Sequence, residues 1–175
     1  ATNRLVKKVA IIGGGPGGLA LGLALRDKVD SISIFEKRSS VIQARLGGGV
    51  QLSGGAAVLE RLGCLEELDS SAMRLKRVLS RNSRKDVLLD INIDKIVQEN
   101  AKESLCADGG RGSPMVYTVM RDQLQRILSE KLSVTAPSLA SVNIRTDKAL
   151  ESVSVTDPSG PEKCLLFTDG SQEGD

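Results

Sequence analysis

The first hydrophobic stretch is a short β-branched run, Val9-Ala10-Ile11-Ile12, which breaks into glycines at Gly13, Gly15 and Gly18. Pro16 sits among them, and Leu19, Leu21, Leu23, Ala24 and Leu25 follow. This pattern predicts strand, tight turn and helix, with the helix over 16–28. The helix is apolar all round, which predicts packing on both sides. A second apolar run, Ser31 to Phe35, ends at Glu36 and predicts a strand over 31–36, parallel to the first through a crossover.

Further along the pattern thins. Residues 38–55 are polar and glycine-rich around the pulse Val50-Gln51-Leu52, and Gly47 to Gly49 mark either a close approach to the backbone or a flexible loop. Ala56, Leu59, Leu62 and Leu65 predict one short helix ending near Gly63. Met73 to Ile93 reads as a β-hairpin, because Leu89, Ile91 and Ile93 alternate with Asp90, Asn92 and Asp94. Its basic residues, Arg74, Lys76, Arg77, Arg81, Arg84 and Lys85, fit a solvated face better than an anion site. Residues 95–116 read as a polar connection, and Val116 to Met120 as a strand. Arg121 opens a helix with Leu124, Ile127, Leu128 and Leu132 on one face. Strand-like runs at 142–144, 149–155 and 164–168 follow, with Asp169-Gly170 as a hairpin turn that calls for another strand.

Composition narrows the function classes. A chain of 175 residues predicts one domain, or one and a fraction. A net charge of +2 points to no particular partner, and only Phe35, Tyr117 and Phe167 are aromatic, which argues against nucleic-acid recognition by stacking. The absence of histidine excludes histidine acid–base chemistry and histidine metal sites, and no metal is expected. Cys64, Cys106 and Cys164 are odd in number and widely spaced, which suggests a reducing intracellular compartment such as the cytoplasm. No run is long enough for a transmembrane helix. The chain begins at Ala1 and stops inside a meander. It is therefore expected to be the N-terminal portion of a longer protein, with a leader or longer N-terminus removed.

The glycine spacing carries the chemistry. Gly13 lets the chain leave the strand, Gly15 lets a diphosphate approach the backbone, and Gly18 allows close helix packing. Pro16 suits the first helical turn, whose N–H groups and dipole face the phosphates. Glu36 stands about 20 residues on, the position of a carboxylate that accepts hydrogen bonds from an adenosine ribose.

Taken together, these residues resemble the N-terminal part of the single-component FAD-dependent monooxygenases of the para-hydroxybenzoate hydroxylase type. The likeness rests on three stretches: Ile11 to Leu19 with Phe35-Glu36-Lys37; Arg45 with Gly47 to Leu52 and the Leu59/Leu62-Gly63 helix; and Met120 to Leu124 with Leu128. Residues 45–63 and the arginine-led helix are also similar to zeaxanthin epoxidases, which would imply a carotenoid substrate and a plastid leader. The resemblance implies a Rossmann-like α/β FAD-binding fold: a parallel sheet with helices on both faces, a β-hairpin excursion and an incomplete antiparallel meander. It implies FAD as cofactor, held by Gly13, Gly15, Pro16, Gly17, Gly18, Glu36, Lys37, Arg45, Gly49, Val50 and Arg121. In this set Lys37 lies near adenine, Arg45 and Arg121 orient the dinucleotide, and Gly49 and Val50 run close to the flavin. NADPH or NADH would be the reductant, and one atom of O2 would enter a small apolar or aromatic substrate. The family's later Asp-Gly and Gly-Asp motifs are missing, so this portion is expected to be inactive alone, with the 73–93 hairpin bordering a missing substrate domain. No catalytic residue is identified. Another FAD-dependent oxidoreductase and a non-catalytic nucleotide-binding module are the alternatives; without a close cysteine pair, a disulfide reductase is disfavoured.

Overall fold

The computed structural model of the chain describes residues 7–42, 48–104, 115–155 and 163–174. Its elements run β1 (Lys8–Ile12), α1 (Pro16–Leu25), β2 (Ser31–Phe35), β3 (Gly49–Leu52), α2 (Gly55–Arg61), α3 (Leu65–Ser71), β4 (Met73–Arg74), β5 (Arg77–Arg81) and β6 (Val87–Asn92). There follow α4 (Ile93–Ser104), β7 (Tyr117–Met120), α5 (Arg121–Ser133), β8 (Ser141–Arg145), β9 (Leu150–Val155), β10 (Lys163–Phe167) and β11 (Gln172–Glu173). They fall into two compact units, Ala1–Arg45 with Leu128–Asp175, and Leu46–Ile127.

The first unit is a three-stranded parallel sheet in the order β1-β2-β8 and a three-stranded antiparallel sheet in the order β11-β10-β9. Strand alternation sends Ile32 and Ile34 to one face of the parallel sheet and Phe35 to the other. On the first face Gly22 of α1 meets Ile34 and Leu132, and Arg26 donates from Nη1 to the Lys131 carbonyl at 2.6 Å. That bond satisfies a C-terminal carbonyl of α5 with a cation. On the other face Phe35 packs on Phe167 with ring centroids 4.7 Å apart. Among the described residues this second layer is the antiparallel sheet, where helices had been expected.

Helix α1 ends earlier than the sequence suggested. The Arg26 and Lys28 N–H groups bond three residues back, to Leu23 and Leu25, which tightens 26–28 into a turn. Nor is α1 covered on both sides: Leu19 and Gly22 are buried, but Leu21 and Ala24 are exposed. Asp169-Gly170 does form the hairpin turn, joining β10 to β11.

The second unit holds the antiparallel sheet β3-β7-β4, the hairpin β5–β6, and helices α2 to α4. Leu59, Cys64, Leu68, Tyr117 and Val119 are its buried centre. The single helix expected over 56–65 is two, broken around Gly63. Glu66 and Glu67, in the first turn of α3, favour the restart through the helix dipole. The polar connection expected from 95 onward is in fact α4 up to Ser104. Its start is capped by Asn92, whose Oδ1 accepts from the Lys95 N–H at 3.0 Å. The basic hairpin residues are exposed, and Arg77 and Arg74 pair with Asp90 and Asp94. No helix of the described residues is long and apolar enough to cross a membrane.

Candidate dinucleotide site

The turn after β1 is built backbone first. The Gly13 N–H donates to the Phe35 carbonyl at 2.7 Å, extending the β1–β2 ladder by one bond. Gly13 then turns out with φ +105°, a conformation that excludes a side chain. Gly15 caps α1 in extended backbone with Pro16 at its start. Gly18 comes so close to the turn that a Cβ there would lie 1.9 Å from the Gly13 carbonyl oxygen. The tight approach therefore involves the turn itself, with Ile11 of the sheet as the next neighbour. Around Gly17 a Cβ would meet nothing within 4 Å, so this side of the helix start is open.

Glu36 is brought to this turn. Its Oε2 accepts from the Gly14 N–H at 2.8 Å and its Oε1 from the Arg38 N–H at 3.0 Å. The carboxylate is thus fixed in orientation at the end of β2, beside the glycines. Gly14, which spacing alone did not single out, is enclosed by Glu36 and by Val41, whose Cγ2 would stand 3.0 Å from a Cβ.

The chain after β8 runs beside Glu36. Glu36 N–H donates to Arg145, Asp147 N–H to Arg38, and Lys148 N–H to the Glu36 carbonyl. Between these segments lies a cleft of about 330 Å³, bordered by Gly13, Glu36, Lys37, Lys148, Ala149 and Leu150. That is the lower end of the ~300–1,000 Å³ range of ligand pockets, suited to a nucleoside rather than a whole dinucleotide. Lys148, Ala149 and Leu150 were missed by sequence reading, since a strand entry carries no motif of its own. Lys148 also bonds Asp169 at 2.5 Å and Ser171 at 2.7 Å. The Lys148 bond, then the hydroxyl and N–H of Ser171, which both donate to Asp169, hold the Asp169 carboxyl well below the usual carboxylate range.

The remaining candidates lie elsewhere. Gly49 and Val50 are in β3 of the second unit, paired with Met120 and Val119 of β7. Arg121 follows Met120 at the start of α5, half-buried, so these three are brought to one end of that sheet. Arg45 falls outside the described residues.

A glycine turn between a parallel strand and a helix, with an acid at the end of the next strand, is the arrangement that α/β dinucleotide-binding folds use. FAD fits these residues: an open helix start for a diphosphate, a fixed carboxylate for a ribose and a cleft of nucleoside size. No family model matches the chain. In sequence it is 26% identical over 165 residues to the 3-amino-4-hydroxybenzoate 2-monooxygenase of Streptomyces cremeus, covering 94% of this chain and 36% of that protein. In structure it is similar to p-nitrophenol 4-monooxygenase from Pseudomonas putida, with TM-score 0.69 and 18% identity, over 97% of this chain and 38% of that one. It is also similar to a protein assigned as an FAD containing monooxygenase from Photorhabdus luminescens, with TM-score 0.63 and 19% identity, over 96% and 37% of the two chains. The resemblance to FAD-dependent monooxygenases is borne out by these relatives, none of which is a zeaxanthin epoxidase. The chain spans just over a third of their length.

Proposed function

We propose that the chain is the FAD-binding portion of an NAD(P)H-dependent monooxygenase. The observation that carries this reading is the Glu36 carboxylate, held at the glycine turn by the Gly14 N–H. In this reading Glu36 accepts from the adenosine ribose hydroxyls, and the adenine enters the cleft beside Lys37, Ala149 and Leu150. The diphosphate lies over Gly13, Gly15, Pro16, Gly17 and Gly18, against the positive end of α1. Arg121 and Arg45 supply guanidinium forks for diphosphate oxygens, and Gly49 and Val50 offer backbone to the flavin. FAD held by these residues would supply the hydride acceptance from NADPH or NADH and the activation of O2, while the chain's own residues would supply position and electrostatics. One oxygen atom enters the substrate and the other leaves as water.

Two of the relatives are named for hydroxylated aromatic rings. That favours a small aromatic substrate over a carotenoid. The catalytic and substrate-contacting groups then belong to a longer polypeptide, bordered by the expected 73–93 hairpin, and residues 1–175 alone are inactive. The structure narrows that hairpin to β5–β6, since 73–74 pair with β7 and Ile93 opens α4. The cysteine spacing favours a reducing compartment such as the cytoplasm.

Titration of the folded chain with FAD, followed by flavin fluorescence with NAD as competitor and circular dichroism as folding control, tests the site. Saturable binding that NAD does not displace is expected. A cooperatively folded chain that ignores FAD overturns the assignment and leaves a non-catalytic module or another nucleotide enzyme.

A further inference from the structure

The loop that follows Glu36 reads Lys37-Arg38-Ser39-Ser40-Val41. Two cations stand three and two residues before Ser40, and an apolar residue follows it. That is the charge pattern read by basophilic serine kinases, whose acidic clefts bind an extended segment by complementary charge. Residues 37–40 are all exposed and in no helix or strand, and the Ser40 hydroxyl donates to the Ile42 carbonyl at 2.8 Å. A second basic-flanked serine, Ser83 in Arg81-Asn82-Ser83-Arg84, provides a contrast. It has a cation only at the second residue before it, Arg81, the third being Ser80, and it sits in a hairpin turn whose Arg84 and Asp86 N–H groups are both bonded to Asn82 Oδ1.

We propose that Ser40 is a phosphorylation site for a basophilic protein kinase, and that its phosphate weakens nucleotide binding at the adjacent glycine turn. This rests on the reading of that turn as the FAD diphosphate site. In the transfer, Ser40 Oγ bonds to the γ-phosphorus of ATP, the bond from that phosphorus to the β–γ bridging oxygen breaks, and ADP leaves. The hydroxyl proton passes to the kinase's catalytic aspartate. The coupling is geometric. Val41, next to Ser40, is in contact range of Gly14, and the Arg38 N–H holds Glu36. Ser40 is one residue, ~3.8 Å, before Val41. A phosphate there lies on the order of one Debye length (~8 Å) from the turn. Its charge of about −2 repels an approaching diphosphate, and its oxygens draw Lys37 away from the proposed adenine end.

The full-length protein is incubated with ATP and the catalytic subunit of cyclic-AMP-dependent protein kinase, phosphate is mapped by peptide mass spectrometry, and both forms are titrated with FAD. One phosphate at Ser40 is expected, absent in Ser40→Ala and slowed at least tenfold in Arg38→Ala, with FAD affinity lowered about tenfold in the phosphorylated form. No incorporation, or incorporation at Ser39 or Ser83 instead, overturns the site. Phosphate at Ser40 with unchanged FAD affinity overturns the coupling. If the unphosphorylated protein does not bind FAD, the dinucleotide reading fails and the coupling with it. The phosphate map still decides the modification.

Discussion

Gly17 and Gly18 are neighbours in the first turn of α1, yet a methyl group has opposite consequences at the two. At Gly18 it would overlap the Gly13 carbonyl oxygen, which is backbone and cannot swing away. Gly18→Ala is expected to cost at least about 1–3 kcal/mol, the scale of overpacking, read as a lower urea midpoint. At Gly17 the space is empty, and replacing a helical glycine is expected to leave stability unchanged or raise it by up to about 1 kcal/mol. The same methyl would enter the space where the proposed diphosphate sits, so Gly17→Ala should fold normally and bind FAD more weakly. Glu36→Ala tests the ribose contact: affinity should fall by about 1–3 kcal/mol, the scale of a hydrogen bond to a charged group. Unchanged affinity in a folded Glu36→Ala variant removes Glu36 from the site.

At the level of elements, two polar contacts tie strands to their neighbours and make stability depend on pH in opposite ranges. Tyr117 of β7 is buried and donates its hydroxyl to Asp69 of α3. Burial, then the Asp69 hydrogen bond, pushes its pKa up to about 12. The folded chain therefore keeps a proton that the unfolded chain releases near pH 10, and stability falls between about pH 10 and 12. Tyr117→Phe should flatten that alkaline limb in urea titrations. Asp169, in the β10–β11 turn, behaves oppositely, because Lys148 and Ser171 favour its ionised form. Its contribution is complete above about pH 4 and is lost as pH falls through the lowered folded value. Asp169→Asn should flatten the acid limb of a plot of Tm against pH. The sequence made β1, α1, β2, β7 and α5 legible because each joins a clear period to a punctuating residue. Glu36 was legible from its distance to the glycines. Helix α4 was not, since its apolar positions are few and its signal is a single Asn92 cap. The wall formed by Lys148, Ala149 and Leu150 depends on a parallel pairing of distant segments, which local spacing does not encode.

For the whole molecule, ligand binding should appear as stability. FAD at about a hundred times its Kd should add about 2.7 kcal/mol to the folded state, seen as a rise in Tm that NAD does not reproduce. A Tm indifferent to FAD would count against the site as strongly as a failed titration. The order β1-β2-β8 also shapes how this chain is made. Strand β2 is the centre of its sheet, but its partner β8 lies more than a hundred residues downstream, beyond the whole of the second unit. At ~5–20 residues per second, the ribosome needs roughly 5–20 s to deliver that partner. Throughout that interval the nascent chain carries Ile32, Ile34 and Phe35 on an unpaired strand edge, the kind of segment that invites aggregation. The requirement that places the acid beside the glycines early in synthesis thus leaves the sheet half-built, and soluble yield is expected to rise when chaperones that hold an open edge are co-expressed.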